Sequence, residues 1–260
     1  MEAYDDIGRA ARLMASASRI TVLTGAGIST ESGIPDFRGP NGLWTRDPSA
    51  ERMSDIDEYV ADPELRKRAW RARRDNPAWT ARPNAGHRAL VELERQGRLL
   101  ALATQNIDGL HQRAGSSPEL VLELHGTVWE CECLHCGRRY PTSDVLARVD
   151  AGEQDPACPV CGGILKSATV SFGQSLDQDL LATAFAAARS SDLFLAVGTT
   201  LQVLPAASLP GAALAAGASL VVVNQGETAY DESADAIVRA PIGEALPDLV
   251  RTSAGEARSG

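Results

Sequence analysis

The sequence has no long apolar run and no surplus of basic residues, and each absence excludes a class of protein. No stretch approaches the roughly 20 uninterrupted apolar residues that a membrane-spanning helix needs. The 25 Lys and Arg are outnumbered by 34 Asp and Glu, and the net charge of −9 argues against a dedicated nucleic-acid binder. The acidic start, residues 1–6, is unlike a signal or transit peptide. We therefore expect a cytoplasmic protein whose partners include neither membranes nor nucleic acid.

Cysteine is also scarce, and all five cysteines lie between Cys131 and Cys161. An odd, clustered count in a chain without a signal peptide indicates a metal site rather than a disulfide framework. The pairs Cys133–Cys136 and Cys158–Cys161 share the two-residue spacing of a zinc ribbon. We therefore predict one structural Zn²⁺ held by these four thiolates, with Cys131 outside the site. A redox role would explain one pair and leave the other without a function.

What the chain has in quantity is apolar residues, 44% of the total, many of them in short strands that alternate with helices. Short continuous apolar runs bounded by polar or glycine-rich segments indicate buried strands. They cover residues 20–23, 99–104, 120–124, 192–197 and 220–223, with a short last strand at 235–238. Alternation of strand and helix predicts an α/β fold with a doubly wound parallel sheet. We expect a smaller zinc-ribbon module and a charged helical insertion to interrupt this sheet.

The segment after the first predicted strand is the most informative in the chain. Gly25 and Gly27 allow a sharp turn, and a helix beginning near Ala26 would direct its amide groups at an anion such as a pyrophosphate. A strand, a glycine-rich turn and a helix begin dinucleotide-binding folds. No third glycine completes the G-x-G-x-x-G pattern, so a tight turn without a ligand explains the glycines equally well.

A loop rich in glycine and proline follows at residues 33–39 and carries an acid, an aromatic ring and a guanidinium side by side. These groups belong to Asp36, Phe37 and Arg38, of which Arg is suited to phosphate and Phe to covering a flat ring. Polar residues or glycine also end the later strands, at residues 105–108, 125, 198–200 and 224. Because a doubly wound sheet gathers its carboxyl ends at one edge, we expect these segments to line one crevice.

These segments, in this order, resemble the signature of the sirtuin family, the NAD-dependent protein lysine deacylases, in its bacterial form. The shared motifs are G-A-G-x-S, G-I-P-D-F-R, T-Q-N-I-D-x-L-H, H-G, two C-x-x-C pairs, V-x-F-G, G-T-T-L-x-V and V-N. The resemblance implies a Rossmann-like NAD-binding domain in three parts, residues 1–40, 81–130 and 167–250. The helical insertion would occupy 41–80, the zinc module 131–166 and a disordered tail 251–260. The implied reaction removes acyl groups from protein lysines with NAD as co-substrate, giving nicotinamide and O-acyl-ADP-ribose.

The resemblance also implies roles for individual residues. His125 would be the general base on a ribose hydroxyl, and Asn106 a second catalytic residue. His87, at the start of a predicted helix, is expected to be structural. NAD contacts are implied for Gly25, Ala26, Gly27, Ser29, Asp36, Phe37, Arg38, Trp44, Gln105, Asn106, Ile107, Asp108, Gly198, Thr199, Thr200, Asn224, Gln225, Gly226 and Ile242. The acylated lysine would lie against Trp70, Arg73, Val170, Phe172 and Gly173.

Two departures from the family pattern concern the substrate. Ser167 and Gln174 stand where the family often has Pro and Glu, which leaves the peptide preference open. In sirtuins that remove acidic acyl groups, a Tyr and an Arg three residues apart bind the acyl carboxylate, and the matching positions here hold Trp70 and Arg73. Trp70 would either line a more apolar acyl pocket or pack the insertion. The acyl group is therefore open among acetyl, succinyl and longer chains.

Two other functions fit parts of the same pattern. A mono-ADP-ribosyltransferase of the same fold would use NAD but modify another acceptor, and His125 with the apolar segment 170–172 favours deacylation over it. A non-catalytic NAD-sensing module would bind NAD without releasing nicotinamide. The presence of Asn106, Asp108 and His125 argues against that alternative.

Overall fold

The computed structural model describes residues 2–37, 39 and 42–257. The strands in these residues are β1 (Ile20–Thr24), β2 (Leu99–Thr104), β3 (Val121–Glu123), β4 (Gly126–Cys133), β5 (Arg139–Pro141), β6 (Leu165–Thr169), β7 (Leu193–Val197), β8 (Ser219–Val223) and β9 (Ala236–Val238). The α-helices there are α1 (Glu2–Ser16), α2 (Leu43–Arg46), α3 (Ile56–Ala61), α4 (Pro63–Arg74), α5 (Ala85–Arg95), α6 (Leu110–Ala114), α7 (Thr142–Asp150), α8 (Gln178–Ser190), α9 (Leu209–Ala215) and α10 (Ile242–Ala257). Two seven-residue 3₁₀ helices, Ala26–Ser32 and Pro48–Ser54, are the longest of several short ones.

Six of the strands form one parallel sheet in the order β3-β2-β1-β7-β8-β9. β1 lies near its centre and pairs with β2 on one side and β7 on the other. Every residue of β1 and β7 is buried, as expected for strands covered on both faces. The connections run outward in opposite directions from β1 and β7, and doubly wound sheets bind their ligands at such a switch point. The predicted doubly wound α/β fold is confirmed.

Helices cover both faces of this sheet, and successive residues of β1 point to opposite faces. On one face α1, α5 and α10 contribute Met14, Leu90 and Leu246 to the buried cluster around Val22. On the other face α8 and α9 pack small apolar residues around Leu23. Each fully buried large side chain stabilises the fold by roughly 1.5–3 kcal/mol, so these two layers hold the sheet rigid. No helix in the described part of the chain is both long and apolar enough to cross a bilayer.

A second, antiparallel sheet with the order β5-β4-β6 leaves the parallel sheet after β3 and returns through β6. Gly126 of β4 pairs with Thr169 of β6 close to the main sheet, and Cys133 pairs with Leu165 at the far end. Gly126 has a φ of +74°, and a Cβ on it would lie 2.1 Å from the Ala168 carbonyl oxygen. Glycine is therefore required where this small module joins the main sheet.

The helical insertion consists chiefly of α3 and α4, and a capping aspartate precedes each of these helices. The side chains of Asp55 and Asp62 each accept hydrogen bonds from two amides of the following first turn, and Pro63 occupies the first position of α4. Arg66 of α4 forms an ion pair with Asp155 of the zinc module at 2.9 Å. This ion pair joins the helical insertion to the zinc module.

Several elements differ from the expectations of the sequence. The helix that we expected to begin near Ala26 is present as a 3₁₀ helix, Ala26–Ser32. α10 continues through 251–257, where we expected a disordered tail, because its apolar face packs on α1 and α5. The strands β4 and β5 and the helix α7 were not predicted at all. Their sequence is rich in cysteine and charged residues and shows neither a continuous apolar run nor a clear alternation.

Candidate functional site

The loops that follow β1 and β7 touch at the switch point of the sheet, and glycine makes this approach possible. The amide of Gly25 donates to the Val197 carbonyl at 3.0 Å, and the amide of Gly27 donates to the Gly198 carbonyl at 2.9 Å. A Cβ on Gly25 would lie 2.7 Å from the Gly198 oxygen, and one on Gly27 would lie 2.7 Å from the Gly198 Cα. Gly198 itself has a φ of +63°. The two loops therefore form one continuous surface at the bottom of the crevice, which we call the glycine floor. Ala26 and Gly27 are only half-buried there.

A hydrogen-bond network joins the loop after β2 to this floor. Asn106 Nδ2 donates to the Gly25 carbonyl at 3.1 Å and to Ser29 Oγ at 3.2 Å. Ser29 Oγ donates in turn to Asp108 Oδ2 at 2.7 Å, and the Leu110 amide donates to Asp108 Oδ1 at 2.9 Å. Burial raises the pKa of Asp108, while these two hydrogen bonds favour its charged form. Asn106 and Asp108 are thus held in one orientation beside the glycine loop.

His125 follows β3 and is held by the same loop. Its Nδ1 lies 3.0 Å from the carbonyl oxygen of Gln105. Because a carbonyl oxygen only accepts, Nδ1 carries the proton and Nε2 carries the lone pair. Burial lowers the pKa of His125, so the imidazole is neutral at neutral pH. Gln105 Nε2 donates to Thr199 Oγ1 at 2.9 Å, which ties this loop to the one after β7. The side chain is therefore arranged as a proton acceptor.

Three aromatic rings form an apolar wall at this edge. The ring centroids of Phe37 and Trp44 are 4.8 Å apart, and those of Trp44 and Phe172 are 5.7 Å apart. The Trp44 amide donates to the Phe37 carbonyl at 3.0 Å, which closes the loop on itself. Phe37 and Phe172 are 38% and 39% exposed. Aromatic residues are few in this chain, so two exposed phenylalanines at one edge of the sheet are notable. An apolar surface of this kind suits a flat ring or an aliphatic chain.

The segment 170–173 runs between this wall and His125. The Val170 amide donates to the His125 carbonyl at 2.9 Å. The Phe172 amide donates to the Ser54 carbonyl at 2.8 Å, and the Phe172 carbonyl accepts from the Ile56 amide at 3.0 Å. The predicted substrate segment therefore links the insertion to the histidine through Val170 and Phe172 and ends in a turn at Gly173, where φ is +87°.

The remaining predicted contacts are distributed around this crevice. Asp36 Oδ1 accepts a hydrogen bond from the Gly39 amide at 2.9 Å and so stabilises a turn in the loop that carries Phe37. Arg38 lies outside the described residues. After β8, Asn224 Nδ2 donates to the Gly226 carbonyl at 2.8 Å, which orders the loop that also contains Gln225. This third loop follows the neighbour of β7 and borders the floor on that side.

Trp70 and Ile242, which we predicted to contact ligands, are both buried in this structure. Trp70 is 0% exposed and packs in the cluster that contains Cys131 and Val145 of the zinc module, whereas Ile242 is 6% exposed and packs in the core beside α5. Trp70 has no exposed surface in this conformation, whereas Ile242 is about as exposed as Asp108, which is 5% exposed, and its contact with adenine stays a prediction. Of the two interpretations of Trp70, the structure therefore favours packing of the insertion.

Arg73, the other residue of this pair, is bonded to protein side chains through two of its nitrogen atoms. Its guanidinium donates to Tyr59 Oη and to Ser167 Oγ, both at 2.9 Å. It also stacks over the rings of Trp70 and Tyr59, at 4.7 and 5.0 Å from their centroids. Tyr59 Oη donates onward to the Leu165 carbonyl at 2.9 Å. Arg73 thus joins α4 to β6.

Four of the five cysteines meet at the predicted metal site. The Sγ atoms of Cys133, Cys136, Cys158 and Cys161 lie within 4.8 Å of one another. Four soft sulfur donors at this separation fit a tetrahedral Zn²⁺ and leave no open coordination position. Cys131 is not part of the cluster, because its buried Sγ lies 3.3 Å from Thr142 Oγ1. Burial raises the pKa of this fifth thiol.

Sequence reasoning did not identify Trp129, which contacts the site from β4. Its indole Nε1 donates to the Asp108 carbonyl at 2.8 Å. No motif contains this tryptophan, and its partner is 21 residues earlier in the chain. Only the crossing of β4 past the loop after β2 brings the two together.

Comparison with known proteins gives a consistent result. The sequence model of the Sir2 family matches residues 25–205. An "NAD-dependent protein deacetylase 2" of Streptomyces coelicolor is 56% identical over 232 residues, which cover 89% of this chain and 96% of the relative. A solved structure described as "Structural Basis for the Mechanism and Regulation of Sir2 Enzymes" has a TM-score of 0.88 and 41% identity, covering 98% of this chain and 99% of that one. Another, described as "Sir2 bound to acetylated peptide", has a TM-score of 0.82 and 35% identity, covering 94% and 96%.

Proposed function

This chain belongs to the Sir2 family, and on that basis we propose that it removes acyl groups from lysine side chains of proteins with NAD as co-substrate. The products are nicotinamide, O-acyl-ADP-ribose and the free lysine. The Streptomyces coelicolor relative is named as an NAD-dependent protein deacetylase, and one solved relative is described as bound to an acetylated peptide. These relatives favour deacylation over ADP-ribosyl transfer to protein and over NAD sensing without chemistry.

The observation that carries the proposal is the protonation state of His125, whose imidazole is neutral with its proton on Nδ1. Because Nδ1 donates to the Gln105 carbonyl, the lone pair lies on Nε2, and burial lowers the pKa that would otherwise leave part of the imidazole charged. A neutral imidazole in a fixed orientation is suited to take a proton from a ribose hydroxyl as a general base. Asn106 would contribute by positioning, since its amide is fixed between Gly25 and Ser29.

The glycine floor suits the phosphates of a dinucleotide. A Cβ at Gly25 or Gly27 would clash with Gly198, so glycine lets the two loops meet, and Ala26 and Gly27 stay partly exposed to a ligand there. NAD, when bound, supplies the ribose carbon that receives the acyl oxygen and the nicotinamide that leaves. We assign the phosphates and adenosine to the loops after β1, β7 and β8, and the nicotinamide end to Asp108 and its neighbours. Phe37 would cover the nicotinamide ribose and exclude water.

The acylated lysine would lie along Val170, Phe172 and Gly173, beside the exposed ring of Phe172. We propose that the acyl group is neutral, such as acetyl or propionyl. The Arg73 guanidinium is held against the insertion and β6 by hydrogen bonds to Tyr59 and Ser167, so turning it toward an acyl carboxylate would weaken these contacts. The four cysteines would hold a structural zinc that takes no part in the reaction.

The decisive assay mixes the protein with NAD and an acetyl-lysine peptide and follows nicotinamide and the free-lysine peptide by chromatography. We expect both products to form in equal amounts, and His125→Ala to lose at least about 100-fold in rate while keeping its fold. His135→Ala, at an exposed histidine, is the matched control and should retain full activity. Stable ADP-ribose on protein without a free lysine would favour the transferase, and NAD binding without nicotinamide release would favour the sensing module.

The same assay tests the acyl preference with acetyl-, succinyl- and crotonyl-lysine peptides of one sequence. We expect the acetyl peptide to be turned over at least 10-fold faster than the succinyl peptide, because Arg73 is committed to Tyr59 and Ser167. Faster turnover of the succinyl peptide would contradict the neutral-acyl proposal while leaving the deacylase proposal intact.

A further inference from the structure

Trp129 holds the backbone of the loop that contains Asp108. Its indole Nε1 donates to the Asp108 carbonyl at 2.8 Å. The next residue, Gly109, has a φ of +69°, and a Cβ there would lie 2.7 Å from the same indole nitrogen. The Val128 amide donates to the Ile107 carbonyl at 2.9 Å, so β4 is bonded to this loop on both sides of Asp108.

The indole of Trp129 is itself held in place. Trp79 packs edge-on against it, with ring centroids 5.0 Å apart and an interplanar angle of 79°. The Arg113 guanidinium, from α6, lies 5.6 Å from the ring centroid. Trp79 Nε1 donates to the Arg73 carbonyl at the end of α4, at 2.7 Å. The two tryptophans therefore connect the helical insertion to the Asp108 loop.

Asp108 is thus constrained through both its side chain and its main chain. Ser29 and the Leu110 amide fix the carboxylate, and Trp129 fixes the carbonyl of the same residue. The side-chain contacts alone would allow the peptide group to rotate. The contact from Trp129 removes that freedom, and displacement of a ligand-contacting loop by about 1 Å is enough to weaken binding and catalysis severely.

We propose that Trp129 is a positioning residue for the nicotinamide end of the NAD site, acting through Asp108, and that Trp79 and Arg113 support its indole. This inference rests on the proposed function, in which Asp108 contacts the nicotinamide. It goes further in naming an exposed residue of β4 that determines affinity for NAD rather than for the peptide. Trp129 is 37% exposed, so most of the packing energy of the fold does not depend on it.

The test is Trp129→Phe, which keeps an aromatic ring against Trp79 and removes the N–H donor. We expect the KM for NAD and the Kd for NAD by calorimetry to rise about 3- to 10-fold, the effect of one lost hydrogen bond. The KM for the acetyl-lysine peptide, the thermal midpoint and the zinc content should stay as in the wild type. Trp79→Phe, which removes a donor one step further from Asp108, is the matched control and should change the Kd for NAD less than twofold.

Two results would overturn the proposal. An unchanged Kd for NAD in Trp129→Phe would mean that the indole donor has no role in the site. Equal increases in both KM values, with a lower thermal midpoint, would indicate a structural role only. If the wild-type protein binds NAD and releases no nicotinamide, the proposed deacylase fails, and the Kd values alone decide the role of Trp129.

Discussion

At the scale of single residues, Tyr140 illustrates how a side chain outside the metal cluster acts on it. Its hydroxyl lies 3.2 Å from Cys158 Sγ. When the sulfur is a metal-bound thiolate it can only accept, so the hydroxyl donates to it and offsets part of its charge. Such contacts around a metal site commonly change metal affinity by a factor of 10–100.

We therefore predict that Tyr140→Phe releases zinc about 10-fold faster than the wild type, measured by transfer to a chromogenic chelator. Cys131→Ala is the control, because this buried thiol contacts Thr142 and not the metal cluster. That variant should bind one zinc per chain and release it at the wild-type rate. Equal rates for Tyr140→Phe and the wild type would mean that the hydroxyl does not affect the metal.

The same scale explains which site residues the sequence reveals. The cysteines are identifiable because each pair occupies one tight turn, so that local spacing determines the geometry. Tyr59 and Trp129 are not identifiable, since their partners, Leu165 and Asp108, are 106 and 21 residues away in the chain. Contacts of that kind depend on how the insertion and the zinc module pack, and no short pattern encodes them.

At the scale of elements, the approach of the loops after β1 and β7 leaves no room for side chains. A Cβ on Gly25 would meet the backbone oxygen of Gly198 at 2.7 Å and the Thr199 Cβ at 2.8 Å, and neither can move without shifting a buried strand. Overpacking of this kind costs about 1–3 kcal/mol. The cost falls on the loop that we assign to the phosphates of NAD.

We predict that Gly25→Ala lowers the free energy of unfolding by about 1–3 kcal/mol in urea denaturation and weakens NAD binding in calorimetry. Gly8→Ala is the control, because Gly8 lies inside α1 and a Cβ there meets only the flexible tip of Arg12 at 3.4 Å. That change should raise the free energy of unfolding by about 0.5–1 kcal/mol. A Gly25→Ala protein as stable as the wild type would contradict the close approach.

Burial decides which elements can be predicted from the sequence. The strands of the parallel sheet are covered on both faces, so their apolar runs are continuous and were predicted within one or two residues. β4, in contrast, is only partly buried and carries two cysteines, so tertiary pairing with β6 rather than periodicity makes it a strand. The segment Ala26–Ser32 likewise has a partner far away in the chain, because the Gly27 amide donates to the Gly198 carbonyl.

At the scale of the whole molecule, the zinc module is inserted where it affects the candidate site. The antiparallel sheet that carries this module begins at Gly126, next to His125, and returns through Thr169, next to Val170. The pairing of Gly126 with Thr169 therefore fixes the histidine relative to the substrate segment. The sequence predicted the parallel sheet and the metal ligands, but this coupling appears only once β4 and β6 are paired.

Two buried histidines link the stability of the whole fold to pH. His87 and His111 lie between α5 and α6 with ring centroids 5.0 Å apart. His87 Nδ1 contacts Asn84 Oδ1 at 3.0 Å, and His111 Nε2 contacts Thr24 Oγ1 at 2.9 Å. Burial, with a smaller contribution from the Arg88 charge, lowers the pKa of His87 to about 4. Burial and the neighbouring His87 lower the pKa of His111 to about 3.

Because both pKa values are lower in the folded chain than the ordinary value near 6.5, the unfolded chain binds protons first as the pH falls. Each histidine then removes about 1.4 kcal/mol of stability per pH unit, from pH 6.5 down to its folded pKa, and neither contributes above pH 6.5.

Zinc release and carboxylates also respond to acid, so the test compares variants with the wild type by urea unfolding at pH 7, 6 and 5. His87→Gln should lose stability less steeply than the wild type by up to about 1.4 kcal/mol per pH unit. Parallel curves for His87→Gln and the wild type would show that His87 is protonated equally in the folded and unfolded chains.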